Sequence, residues 1–191
     1  PLRLSYAGTV LRVKGAQLRP ERQFAQAGIE IIGSDAFAAD AEVIALCDES
    51  LASAGVRGVT VDLFMPNLVA RTVNGSGIDH GELRQALDHK DEARVRSIAG
   101  DKAAILEKLM RASGDADRAL QKLGSIDLPE EAKAEVARLT EVITAIRTIR
   151  PDIRLTVDPV ENRGFEYHTG VSFALFGRGV RGELGRGGRY R

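Results

Sequence analysis

The hydrophobic period of this chain changes twice, from the two-residue repeat of strands to the repeat of helices and back again. Residues 1 to about 75 read as strand, strand, helix, strand. Leu4 to Val13 is strand-like, Lys14 to Glu21 is a polar loop that Pro20 keeps out of a central ladder, and Gln23 to Gly33 returns as a second strand. Two antiparallel strands with a long charged tip are expected. Ser34 or Asp40 can cap the helix that follows, in which Ile44, Cys47, Leu51 and Ala54 share one face and Gly55 is a natural stop. Val59, Val61 and Leu63 then alternate with Thr60, Asp62 and Phe64, the two-residue period of a half-buried strand.

From about 76 to 151 strand formers thin out and charges interleave with Leu, Ile and Ala. Leu106, Leu109 and Met110 share a helical face. So do Ala132, Val136, Leu139, Ile143 and Ile146, behind a helix start at Pro129-Glu130-Glu131. Three or four helices with a solvated charged face are expected here. Residues 152–191 return to β character, with Leu155 to Val157 and Val171 to Phe176 as strands and glycines from Gly177 to Gly188. The order β, helical, β predicts one α+β domain with a helical insertion. It divides as 1–75, first part of the core; 76–151, insertion; 152–191, second part of the core.

Lys plus Arg balances Asp plus Glu at 27 each, which argues against a protein whose main partner is a nucleic-acid backbone. The single Cys47 permits no internal disulfide and suits a reducing, cytoplasmic setting. No apolar run is long enough to span a membrane. The chain starts at Pro1 and stops at Arg191 after a glycine cluster, so both ends are expected to be cuts within a larger protein.

The second strand carries the sharpest chemical feature. Phe24, Gln26, Gly28, Glu30 and Ile32 fall on one face, and Glu30 lies between isoleucines, where an acid is costly unless paired. Gly28 leaves a gap between an amide and an acid that suits a small polar cationic ligand. An internal ion pair from Glu30, with Arg12 as a partner, explains the same acid equally well. A second feature, Glu161 to Gly170, packs two acids, Arg163, Tyr167 and His168 ahead of a strand. Arg163 can grip a carboxylate or phosphate through its fork, although a polar hairpin entry has the same composition. The glycines before Arg189 and Tyr190 lack a dinucleotide-binding context, so they predict a bulge or a close backbone approach beside a ligand. His80, His89 and His168 show no metal-ligand spacing, and neither a metal nor another cofactor is expected.

Tyr6 to Arg12 followed, after the loop, by Arg22 to Gly33 resembles the second signature motif of the histidyl-tRNA synthetase family, without a gap from Gly8 to Gly33. Arg163 to Gly170 resembles that family's histidine-specific motif, and Gly187-Gly188-Arg189-Tyr190 its following glycine strand. The resemblance implies a class II aminoacyl-tRNA synthetase-like antiparallel sheet with flanking helices. It also implies a histidine pocket. Arg12 would face the amino-acid carboxylate and the α-phosphate, Gln26 the amino group, and Glu30 would accept a proton from the imidazole. Arg163, Tyr167, His168 and Tyr190 would close the pocket.

The departures from the motif are uneven. Lys14 replaces an acid on the nucleotide side and Pro20 a loop arginine, for which the adjacent Arg19 is a candidate substitute. His168 replaces a tyrosine and Arg191 an aspartate. The nucleotide side is eroded and the histidine side is kept. This is the pattern of the family's non-catalytic branch, the regulatory subunits of ATP phosphoribosyltransferase in histidine biosynthesis. That branch implies no catalysis by this chain, histidine as ligand, the short catalytic ATP phosphoribosyltransferase as partner, and a homodimer within a hetero-oligomer. The alternatives are a fragment of an authentic synthetase and a paralogue acting on another substrate.

Overall fold

The computed structural model describes residues 1–14, 21–161 and 168–190. Strands β1 (Leu2–Leu11) and β2 (Gln23–Ile32) form an antiparallel ribbon, with Leu2 opposite Ile32 and Leu11 opposite Gln23. It is a sheet of its own rather than part of the larger one. Helix α1 (Phe37–Ser53) follows, then β3 (Thr60–Phe64) and the short α2 (Leu68–Thr72). The helical region holds α3 (His80–Asp88), α4 (Glu92–Ala99), α5 (Ala103–Arg111), α6 (Ala116–Gly124) and α7 (Glu130–Ile149), with a two-residue strand β4 (Gly114–Asp115) inside it. Strands β5 (Arg154–Val157), β6 (His168–Phe176) and β7 (Gly185–Tyr190) complete the second sheet, ordered β4-β5-β3-β6-β7.

This is an α+β fold with one parallel pair in the larger sheet, β3 beside β5; the other neighbours are antiparallel. Parallel neighbours need a long crossover, and the helices between them supply it. The region holds five helices, more than the three or four expected from sequence. Gly100 at φ +50° separates α4 from α5, and Gly114 at φ +136° separates α5 from α6. The starts of α3, α4 and α6 are capped by side chains: Asp79 accepts from the Glu82 amide, Asp91 from that of Arg94, and Asp115 from those of Asp117 and Arg118. Outside, Glu92, Arg96, Glu107 and Arg111 form an ion-pair network at the surface, where such pairs contribute little each.

One apolar core runs through all three segments. Val61 and Leu63 of β3 and Leu155 and Val157 of β5 meet Ile44 of α1 and Leu139, Val142, Ile143 and Ile146 of α7. The buried stripe of α1 is Ala41, Ile44, Ala45 and Asp48, rotated from the expected Ile44–Cys47–Leu51–Ala54 face. The rotation turns Asp48 inward, where Arg150 meets it at 2.8 Å. Cys47 is half-buried, and burial pushes its thiol up to about 11, which leaves it unreactive at neutral pH. Neither Ser34 nor Asp40 caps α1; Ala36 holds that position and has no side-chain cap bond. Among the described residues, no helix is long and apolar enough to cross a membrane.

Candidate functional site

Cross-strand neighbours of an antiparallel ribbon share a face, so the register brings Leu4 to Glu30, Tyr6 to Gly28 and Gly8 to Gln26. Arg12, just past β1, belongs to the same face; its amide donates to the Arg22 carbonyl at 2.7 Å, and its guanidinium lies over the Phe24 ring, 4.5 Å from the centroid. Arg12, Gln26 and Glu30 therefore line one surface. Gln26 Nε2 donates to the Tyr6 hydroxyl at 2.9 Å.

Glu30 is half-buried and makes no ion pair or hydrogen bond among the described residues. The internal Glu30–Arg12 pair is absent: Arg12 is engaged with Phe24 near the other end of the ribbon. An acid between isoleucines with no partner among the described residues has hydrogen-bonding capacity left for a ligand.

The gap at Gly28 is not open. The Tyr6 ring lies over it, so closely that a Cβ at position 28 would collide with the ring atoms. An aromatic opposite a glycine covers the bare backbone of a strand pair. Tyr6 thus separates Gln26 from Glu30 and forms a wall between them. It is the site residue that residue-by-residue reading of β2 missed, and its signal is visible only once the register is known.

The second group stands on the larger sheet. His168 begins β6 and Tyr190 ends β7, and the two are cross-strand partners. His168 is buried, with Nδ1 3.0 Å from Ser172 Oγ. Burial, and secondarily the Arg186 charge, hold its pKa below the ordinary 6.5. The glycines beside it are needed for close packing: a Cβ at Gly188 would lie 2.5 Å from Ser172 Oγ and 2.7 Å from His168 Nδ1, and one at Gly187 2.5 Å from the Phe173 ring. The register shifts between His168 and Ser172 of β6, opposite Gly188 to Tyr190. Tyr190 is half-exposed. Arg163 and Tyr167 lie outside the described residues, as do Gly15 to Pro20 of the loop and Arg191.

Arg189, between Gly188 and Tyr190, joins this group to the end of the ribbon. It donates to the carbonyls of Ser34 at 2.6 Å and Ala36 at 3.1 Å, and to Asp40 Oδ1 at 2.9 Å. Arg138 of α7 holds the other oxygen of Asp40 at 2.9 Å. Asp40, read from sequence as a cap, is instead the acid shared by two arginines. At the other side of the ribbon, Arg3 grips Glu42 of α1 through both carboxylate oxygens.

The His168 environment sets a pH dependence. The folded state favours neutral imidazole, so below about pH 6.5 the unfolded chain binds more protons and stability falls as pH drops through the lowered folded value. Glu135 acts with the opposite sign, because burial raises its pKa above 4.5. Unfolding free energies measured between pH 7 and 5 should slope downward in the wild type and less steeply in His168→Asn. Identical slopes would show that His168 is no more perturbed folded than unfolded.

The profile of the histidyl-tRNA synthetase family matches residues 1–191. The chain belongs to that family. Within it, the sequence is 57% identical over 196 residues to an ATP phosphoribosyltransferase regulatory subunit of Paramagnetospirillum magneticum, covering 100% of this chain and 51% of that protein. The structure is similar, at TM-score 0.84 and 27% identity, to a Bacillus halodurans protein described as an ATP phosphoribosyltransferase regulatory subunit/histidyl-tRNA synthetase, covering 100% of this chain and 51% of that one. A chain of the ATP phosphoribosyl transferase (HisG:HisZ) complex of Thermotoga maritima shares the fold at TM-score 0.78 and 19% identity, with 99% of this chain and 68% of that chain covered. The chain spans about half the length of the curated relatives it matches.

Proposed function

We propose that the full-length protein is the regulatory subunit of ATP phosphoribosyltransferase, binds histidine, and makes the first step of histidine biosynthesis sensitive to it. The similarity to regulatory subunits supports the role. The observation that carries histidine binding is Glu30: a half-buried carboxylate with no partner among the described residues, on the face that bears Gln26 and Arg12. Its acceptor oxygens suit an imidazole N–H, the amide of Gln26 suits the ligand's other polar groups, and Arg12 suits a carboxylate. Arg163, Tyr167, His168 and Tyr190 complete the proposed pocket. The partner is the short catalytic subunit, with this protein as a homodimer in the hetero-oligomer. The chain itself performs no chemistry and acts in the cytoplasm.

The competing reading, part of an authentic synthetase, is favoured by the family profile itself. Lys14, in place of an acid, puts a positive charge where the family orients the nucleotide. Full-length protein should therefore show no histidine-dependent exchange of pyrophosphate into ATP and should not charge tRNA. Exchange at rates typical of an enzyme, about 1 per second or faster, would replace the regulatory reading with the synthetase one.

A further inference from the structure

Three loops converge at the pole formed by the starts of β3 and β5 and the end of β6. They are residues 54–59 between α1 and β3, 150–153 between α7 and β5, and 177–184 between β6 and β7. The convergence is physical: the Arg178 amide donates to the Arg57 carbonyl at 3.1 Å, and a Cβ at Gly58 would lie 3.2 Å from that of Arg178. Thr60 is the register partner of both Arg154 and Phe176. A shallow depression of about 420 Å³ opens here, lined by Asp48, Val56, Gly58, Ile149, Arg150 and Arg154 among others.

The charge of this pole is one-sided in a chain that is neutral as a whole. Arg150 is matched by Asp48, and Glu183 by Arg186. Arg57, Arg154, Arg178 and Arg181 are exposed and make no ion pair among the described residues, against one unmatched acid, Asp152. Beside them Ile149, Val180 and Phe176 stay 52%, 42% and 37% exposed. Arginine mixed with apolar side chains around a depression is the composition of a protein interface. Four arginines fall short of the six or more phosphate contacts, roughly, that a duplex footprint uses.

We infer that this arginine pole is the docking surface for an acidic segment of the catalytic subunit. The inference rests on the regulatory reading and adds to it where the partner sits. The surface is built from loops separate from the ribbon that carries Glu30, so assembly and histidine binding are separable by mutation. Complementary charge acts mainly on the rate of encounter and on partner choice, and it is screened by salt.

The test uses full-length protein and the catalytic subunit of the same organism, with affinity measured across a salt series. Arg57→Glu combined with Arg178→Glu should weaken assembly at least tenfold. Wild-type affinity should fall as salt rises, and the double variant should lose most of that dependence. Arg94→Glu combined with Arg118→Glu, also exposed but on the helical region, should assemble like the wild type. Histidine affinity of the isolated Arg57/Arg178 variant should stay within twofold, which also shows that it is folded. If that variant assembles like the wild type, the docking surface lies elsewhere and the regulatory reading survives. If the wild type does not assemble at any salt concentration, the surface and the reading fall together. Tight retention of duplex DNA by wild type at physiological salt, lost in the double variant, would overturn the assignment in favour of nucleic acid.

Discussion

Glu30→Ala in the full-length protein is expected to reduce histidine affinity at least tenfold. Removing one partner of a desolvated, hydrogen-bonded charge contact costs about 2–5 kcal/mol, and each 1.4 kcal/mol is about tenfold. Two features of this ribbon place Glu30 in that class. Its carboxylate has no competing partner among the described residues. The Tyr6 ring lies over Gly28, the next residue on the same face. Gln26→Ala should cost less, about 1 kcal/mol, because it removes a neutral hydrogen bond and Gln26 already spends one donor on Tyr6. Titration calorimetry reads both. Unchanged affinity in Glu30→Ala would assign the carboxylate a role in folding alone.

The second large effect concerns Asp40. Its carboxylate is 9% exposed and is held by Arg138 and Arg189, from α7 and β7. Asp40→Ala leaves two partly buried guanidinium groups without that acid, and breaking a buried pair from one side costs about 3 kcal/mol or more. For a protein of this size that lowers Tm by roughly 6–12 °C. Arg189 keeps the Ser34 and Ala36 carbonyls, so the loss falls mostly on the contact of α7 with α1. Asp40→Asn, which keeps an acceptor, should lose less. Thermal unfolding checks this, and a shift under about 2 °C would mean that both arginines find other acceptors.

The α+β organisation was legible because the periodicities are clean: Val61 and Leu63 alternate as strand residues, and Leu139, Ile143 and Ile146 recur as helical ones. The common face of Gln26 and Glu30 was legible because strand parity is a local property. The ribbon's register is not local. It depends on the loop between the strands, so Tyr6 opposite Gly28 could not be read from β2, and a filled position looked like a gap. Long-range ion pairs were hidden for the same reason. Asp40 has the spacing of a cap, but Arg138 and Arg189 reach it from almost 100 and 149 residues away. The rotated face of α1 follows from Asp48, whose inward position is tolerable only because Arg150 arrives from the far end of α7. The motif residues Arg163 and Tyr167 lie outside the described residues, so their part in the pocket rests on the family resemblance.

Control by histidine requires a coupling free energy between the histidine pocket and the catalytic subunit, typically 1–3 kcal/mol and reciprocal. Histidine must also prefer one conformation of the regulator, since equal affinity for two shifts nothing. The most direct measurement is histidine inhibition of the complex assembled from full-length wild-type or Glu30→Ala regulator and the catalytic subunit. The account predicts that the variant complex assembles normally and loses the regulator's share of the inhibition. A variant complex inhibited by histidine just as the wild type is would contradict it and place the effector site outside this pocket.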